Sequence, residues 1–190
     1  MKEIVQDGAL VLREVAEPLP EELFNSATLE KLIADMSAAL DREIEGVALA
    51  APQIGVSWRL FIIRKDRTLP PPLNASQSDA SGELPAEPEV LAPEVEVYIN
   101  PEIVRTSRKR AAADEGCLSV RGVYGTTLRH ERVTIRARRV DGSRFERGGS
   151  GLLAQIFESG ALDDAEKERP FGQISNSKFQ ITNNFQIQMS

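Results

Sequence analysis

The side chains best suited to chemistry in this 190-residue chain are scarce: there is one cysteine, Cys117, and one histidine, His130. A thiolate is a nucleophile and a soft metal ligand. An imidazole is the commonest protein metal ligand and acid–base group. With one of each, a catalytic zinc-type site of three protein ligands must recruit carboxylates. Cys117 stands in the run Glu115-Gly116-Cys117-Leu118-Ser119. A second run, Gly46-Val47-Ala48-Leu49-Ala50-Ala51-Pro52-Gln53-Ile54-Gly55, is small and apolar, with Gln53 as its one polar side chain. Such residues let backbone come close to another group. An amide at Gln53 can donate to a developing oxyanion. A bland reading stands beside each: a tight helix-to-strand connection for Gly46–Gly55, and a buried structural thiol for Cys117.

Together, in this order, the two runs resemble two signature motifs of the peptide deformylases, GxGLAAPQ and EGCLS. The resemblance implies one α+β domain of mostly antiparallel strands around a C-terminal helix. It implies a metalloenzyme in which Fe2+ or Zn2+ serves removal of the formyl group from the initiator Met of nascent bacterial proteins. Carried over, Cys117 is the expected metal ligand, and Gln53 with the Leu118 backbone N–H are the expected oxyanion donors. Gly46, Val47, Ala48 and Leu49 are expected to offer backbone to the peptide, although Ala48 stands where the family most often has Gly. The implied partners are formyl-Met ends of nascent chains, with the ribosome as a further candidate.

The family's third signature, HExxH on a helix, holds the other two ligands and the general base. It is absent, because the motif needs two histidines and the chain has one. Gly151 to Phe157 resembles the family's lead-in to that helix, and Val133 to Gly142 its preceding strand and turn. In continued register, Glu158 takes the place of the Gln before the motif. Ser159 then stands at the first histidine, Gly160 at the glutamate and Asp163 at the second histidine. Positions i and i+4 share a helix face, as paired ligands must. Serine is a poor ligand for such an ion, and glycine cannot move a proton. His130 lies between two strands, beside Arg129 and Glu131, where the family keeps no ligand. A replacement site from Cys117, Asp163 and Asp164 would lack imidazoles and a base. The expectation is weak or no deformylase activity, with Fe2+ or Zn2+ bound by resemblance or no metal in this chain. The alternatives are a non-catalytic, deformylase-like peptide-binding protein and the product of a rearranged gene end.

The elements that must position these residues can be read from periodicity. Leu29, Leu32, Ile33, Met36, Leu40 and Ile44 form one apolar stripe, so Leu29 to Ile44 reads as a helix, capped by Thr28 and ended by Gly46. Trp58 to Arg64 reads as a strand. Val95 to Ile99 reads as another, closed by Asn100-Pro101, with Ile103 to Thr106 extending it. Val120 to Leu128 and Val133 to Val140 follow, and Val133, Ile135 and Ala137 alternate with polar residues. Asp141-Gly142 predicts a hairpin turn. Gly148-Gly149-Ser150 leads to a last helix with Ser150 as its cap, weakened or ended at Ser159-Gly160.

Residues 66–94 carry Pro70-Pro71-Pro72, the polar run Asn74 to Gly82, and Pro85, Pro88 and Pro93, and read as a flexible surface insertion. Phe171 to Ser190 has no Asp or Glu, although the chain has 29 such residues, and it reads as a β-prone tail of different character. The domain reading is therefore a core of 1–157 and a divergent segment of 158–190. The hydrophobic fraction of 41% and charged fraction of 27% fit a globular protein. A net charge of -6 argues against non-specific nucleic-acid binding. No apolar run reaches membrane-span length, and the start Met1-Lys2-Glu3-Ile4-Val5 reads as neither signal nor transit peptide. One cysteine leaves no internal disulfide, which together suggests a cytoplasmic protein.

Overall fold

The computed structural model describes residues 2–68 and 94–166, and the backbone alone of residues 123 and 162–166. The tail reading, and all but the ends of the 66–94 reading, fall outside the described residues.

The first helix, α1, spans Ala27–Asp41 and buries Leu29, Leu32, Met36, Ala39 and Leu40. Its cap is Ser26, not Thr28: the Ser26 hydroxyl accepts the Leu29 N–H at 3.2 Å, with Glu30 in the first turn. It also stops earlier than the stripe suggests. Ile44 lies beyond the end and is 90% exposed. Gly46 is not the terminator but a close-packing point. A Cβ there would lie 2.8 Å from Leu40 Cδ1 and 3.2 Å from Leu118 Cδ1.

Among the described residues seven strands follow: β1 (Ala48–Ala50), β2 (Leu60–Arg64), β3 (Val95–Thr106), β4 (Arg110–Cys117), β5 (Val120–His130), β6 (Arg132–Arg138) and β7 (Arg144–Ser150). Five form an antiparallel sheet in the order β1-β2-β3-β6-β7, and β4 and β5 make a separate ribbon. The last helix, α2, spans Leu152–Glu166. Strand alternation sorts the sheet into two cores. Leu49, Leu60, Ile62 and Ile99 pack with α1, while Phe61, Ile63, Tyr98, Val133, Ile135 and Ala137 pack with Ala154, Ile156 and Phe157 of α2. The chain is thus an α+β domain, with one helix on each face of the sheet.

Three local expectations change. Asn100-Pro101 does not close β3. Asn100 (φ 49°) sits at a register shift, and its side chain holds the Leu19 backbone, accepting its N–H at 2.8 Å and donating to its carbonyl at 3.3 Å. A bulge is where a sheet tolerates proline. Gly148-Gly149-Ser150 does not cap α2 but completes β7 against β6. The chain turns into the helix at Gly151 (φ 56°). Gly149 is required by contact, since a Cβ there would lie 2.8 Å from Phe157 Cε2. Nor do Ser159 and Gly160 end α2, which runs on unbroken to Glu166. The hairpin turn at Asp141-Gly142 forms as expected, with Gly142 at φ 81°. The two flanks of the 66–94 stretch are paired strands of one sheet, Arg64 opposite Val95.

Candidate functional site

The two sequence runs converge. After β1, residues Ala51–Ile54 form a short 3-10 turn that carries Gln53 back toward the β4–β5 ribbon. The Gln53 side-chain Oε1 accepts the Ala50 N–H at 2.9 Å. Only the oxygen can accept from an N–H, so this bond sets the orientation of the amide. Its Nε2 is thereby aimed at the ribbon, 3.9 Å from Cys117 Sγ and 3.4 Å from Ser119 Oγ. Cys117 ends β4 and is exposed, and Leu118 and Ser119 make the turn into β5. The closeness of Gly46 to Leu118 brings the start of the β1 run against the same turn.

A third segment fastens the two, and periodicity gives no hint of it because its contacts are mostly backbone. Val5 N–H donates to the Gln53 carbonyl at 2.8 Å, and Asp7 N–H donates to the Ser119 carbonyl at 2.8 Å. Between them, the Gln6 amide donates to the Leu118 carbonyl at 3.1 Å. Outside Cys117, an open groove of about 570 Å³ runs between Glu43–Glu45 on one side and Leu118 with Val120, Arg121 and Tyr124 of β5 on the other. An Arg121–Glu43 ion pair of 2.6 Å spans it.

β1 is the edge strand of this sheet. Arg64 N–H donates to the Val47 carbonyl, and Leu49 pairs with Ile62 in the same register. By antiparallel alternation, the N–H and C=O of Ala48 therefore face away from β2, along the outer edge.

The α2 side of the site is different. The Ser159 hydroxyl is turned onto its own helix, donating toward the Gln155 carbonyl at 3.0 Å and the Ile156 carbonyl at 3.2 Å. Gly160 offers no side chain, and a Cβ there would lie 3.0 Å from the Phe61 ring. Asp163 and Asp164 lie on α2, one turn after Ser159. His130 is also engaged elsewhere: its ring lies between the Ser107 carbonyl and the Arg110 guanidinium, with Nε2 3.2 Å from Arg110 Nη2.

Glu158, read from sequence only as a stand-in for Gln, proves to be a buried connector, 1% exposed. Its Oε2 accepts the His130 N–H at 2.9 Å, and its Oε1 lies 4.0 Å from Arg129 Nη1. Arg129 in turn grips Glu115 through two bonds of 2.7 and 2.8 Å. The charged chain Glu115–Arg129–Glu158 thus ties α2 to the strand that ends at Cys117. A carboxylate directly after the apolar pair Ile156-Phe157, on the buried face of the helix, was the available signal.

Among the described residues, no three His, Cys, Asp or Glu side chains gather to hold a metal ion. The polar group at Cys117 is the Gln53 amide, which also reaches the Ser119 hydroxyl. That is not the set of thiolate, imidazole and carboxylate donors a divalent iron or zinc ion selects, so the described residues do not fit the ion. No described helix is long and apolar enough to cross a membrane.

A family model of polypeptide deformylase matches residues 1–160. The chain is 37% identical over 159 residues to a peptide deformylase of Acidobacterium capsulatum, covering 83% of this chain and 78% of that protein. It is 30% identical over 198 residues to peptide deformylase 2 of Bacillus cereus, covering 94% of this chain and 96% of that one. Among solved structures, a class I type b peptide deformylase of Acinetobacter baumannii with Met-Ala-Ser bound superposes with a TM-score of 0.68, at 27% identity, over 86% of this chain and 92% of that chain. The Thermotoga maritima peptide deformylase superposes with a TM-score of 0.66, at 26% identity, over 88% and 92%. With a converged Gln53–Cys117 pair inside a matching fold, the chain belongs to the peptide deformylase family.

Proposed function

We propose that this chain keeps the peptide-binding and oxyanion-donor half of a deformylase site without its metal-binding half. As written it removes formyl groups weakly or not at all. The observation that carries this reading is the contrast on α2: a Ser159 hydroxyl engaged with its own helix, and a Gly160 pressed against Phe61. Of the ligands that the resemblance implies for Fe2+ or Zn2+, Cys117 alone is present, and the general base has no counterpart.

The retained half suits an extended peptide end. The outer edge of β1 offers the Ala48 backbone N–H and C=O, as in strand addition. Gly46 to Leu49 would line one side of the peptide and the Cys117 turn the other, with the Gln53 Nε2 and the Leu118 N–H facing its carbonyl. Ile44 and Tyr124, 90% and 62% exposed, give the adjoining groove apolar surface for a Met-like side chain. The ligands are formyl-Met or Met ends of nascent chains, met in the cytoplasm. Residues 1–157 form the core of this reading, and the departure from the family begins at 158.

The test is formate release from formyl-Met-Ala-Ser by protein prepared without oxygen and supplied with Fe2+ or Zn2+. The expected result is little or no chelator-sensitive release, alongside saturable binding of Met-Ala-Ser by calorimetry. Chelator-sensitive turnover near that of an ordinary deformylase would overturn the reading.

A further inference from the structure

The last turn of α1 holds no basic residue, and Arg42, which follows it, donates instead to the Lys2 carbonyl at 2.7 Å. Helix ends leave carbonyls that need donors, and a cation suits the negative end of the dipole. Here the donor comes from a distant part of the chain. Directly after β2, Lys65–Arg67 form a 3-10 turn, closed by the Thr68 N–H and hydroxyl on the Lys65 carbonyl. The turn brings Arg67 Nη1 to the Glu43 carbonyl at 2.6 Å, to the Leu40 carbonyl at 3.4 Å and to the carbonyl of Gly46. Gly46 is buried, so its carbonyl would be costly to leave without a donor.

The Gly46 carbonyl shares one planar peptide with the Val47 N–H, and the Val47 carbonyl shares the next with the Ala48 N–H. The Arg64 N–H fixes the second plane, donating to the Val47 carbonyl at 2.9 Å. Arg67 fixes the first. One short stretch, Arg64 to Arg67, thus orients both peptide planes that lead to the outer edge at Ala48. Glu43 carries the effect into the groove. Arg67 holds its carbonyl, while its carboxylate accepts from Arg121 across the groove at 2.6 Å.

We propose that Arg67 is a positioning residue for the bound peptide end. Its guanidinium sets the entry into β1 and the Glu43 wall of the groove, acting through backbone rather than on the peptide. The inference rests on the reading above, in which a peptide adds to the β1 edge, and deepens it. A residue outside both sequence runs determines how well that edge is formed.

The test compares Arg67→Met with Arg67→Lys in the full chain. Both keep an unbranched apolar stem, so packing along the side chain is nearly matched. Only lysine keeps donors, and its ammonium carries them on one nitrogen, just as Arg67 meets its carbonyls through Nη1 alone. By calorimetry, Met-Ala-Ser is expected to bind about tenfold more weakly to Arg67→Met, and within about threefold of the natural chain to Arg67→Lys. Equal losses in the two variants overturn the proposal, as does an unchanged affinity in Arg67→Met.

A second measurement is hydrogen exchange without peptide, taken relative to the intrinsic rate. The Arg64 amide donates to Val47, and the Leu49 amide stands in the same hydrogen-bonded register opposite Ile62. In Arg67→Met both are expected to lose protection about fivefold or more, while the β6 amides keep theirs. Unchanged protection at Arg64 and Leu49, or an equal loss throughout β6, overturns the proposal. This arm needs no ligand. A natural chain that binds no Met-Ala-Ser would count against the peptide-binding reading and leave the exchange result to decide the role of Arg67.

Discussion

Gln53 and Ser159 are both polar side chains at positions that the resemblance assigns to the site, and they are held in opposite senses. Gln53 sits in a 3-10 turn whose geometry lets its side-chain oxygen take the Ala50 N–H, which leaves its NH2 aimed outward at Cys117 and Ser119. Ser159 sits in a regular helix, where a serine hydroxyl readily folds back to the carbonyls three and four residues earlier. The first arrangement leaves a donor for a ligand, and the second leaves nothing facing the slot. A side chain of the right polarity is therefore not enough. The backbone around it decides whether its polar atoms face the slot or the chain itself.

The largest effect expected from separating these halves comes from Arg129. It is 7% exposed and holds Glu115 on the Cys117 side while lying 4.0 Å from Glu158 on the α2 side. Arg129→Ala would leave Glu158 buried without that partner. Breaking a buried ion pair by removing one member costs about 3–5 kcal/mol. Urea unfolding should show a loss of that order. Glu158→Gln keeps an oxygen for the His130 N–H and removes the buried charge, so it should change stability by less than about 1 kcal/mol. Equal losses in the two variants would show that the charge on Glu158 matters more than its hydrogen bond.

A smaller effect separates Gln53 from Ser159 directly. Gln53→Ala strands the Ala50 N–H and should cost about 1 kcal/mol of stability while weakening Met-Ala-Ser binding. Ser159→Ala removes only a bond to the helix itself and replaces serine by a better helix former. It should be neutral or stabilising by a few tenths of a kcal/mol, roughly the propensity difference, with binding unchanged. A clear loss of peptide affinity in Ser159→Ala would mean that its hydroxyl does turn toward the slot in solution.

Much of this contrast was legible in residue order. The alternation of Val133, Ile135 and Ala137 and the Asp141-Gly142 turn arise from local pattern and form as read, and the apolar stripe of α1 forms as far as Leu40, with Ile44 left outside the helix. The Gln53–Cys117 meeting was legible through resemblance, since nothing local links residues 64 positions apart. What misled were glycines and caps. Gly46 and Gly149 look like helix-end and loop residues, yet their role is contact with Leu40, Leu118 and Phe157 across the fold. Gly160 looks like a helix breaker, yet α2 passes through it, held by Phe61 and by Glu158. Propensity is a local quantity, and in a packed interior the tertiary contact outweighs it.

The smallest expected effect is a pH dependence on the retained side alone. Arg64, 7% exposed on β2, bonds Asp66 through its Nε and Nη2 at 2.9 Å each and also bonds Asp41, the last residue of α1. Arg67 donates nearby to the carbonyls of Glu43 and Gly46, so this group of charges fixes the turn that leads into β1. The Arg64 guanidinium hydrogen-bonded to Asp66 holds its carboxyl below the ordinary aspartate range. A carboxylate depressed in the folded state stabilises the fold above its unfolded pKa, about 3.9, and loses that contribution as pH falls through the lower folded value. Asp66 is 51% exposed, so solvent screening limits the effect to less than about 1 kcal/mol. Lowering the pH from 6 to 3 should therefore reduce the protection of the Val47 to Leu49 amides, exchange being taken relative to its intrinsic rate at each pH, more in the natural chain than in Asp66→Asn. Equal pH dependence in both proteins would remove Asp66 from the clamp and leave Asp41 as the partner that holds Arg64.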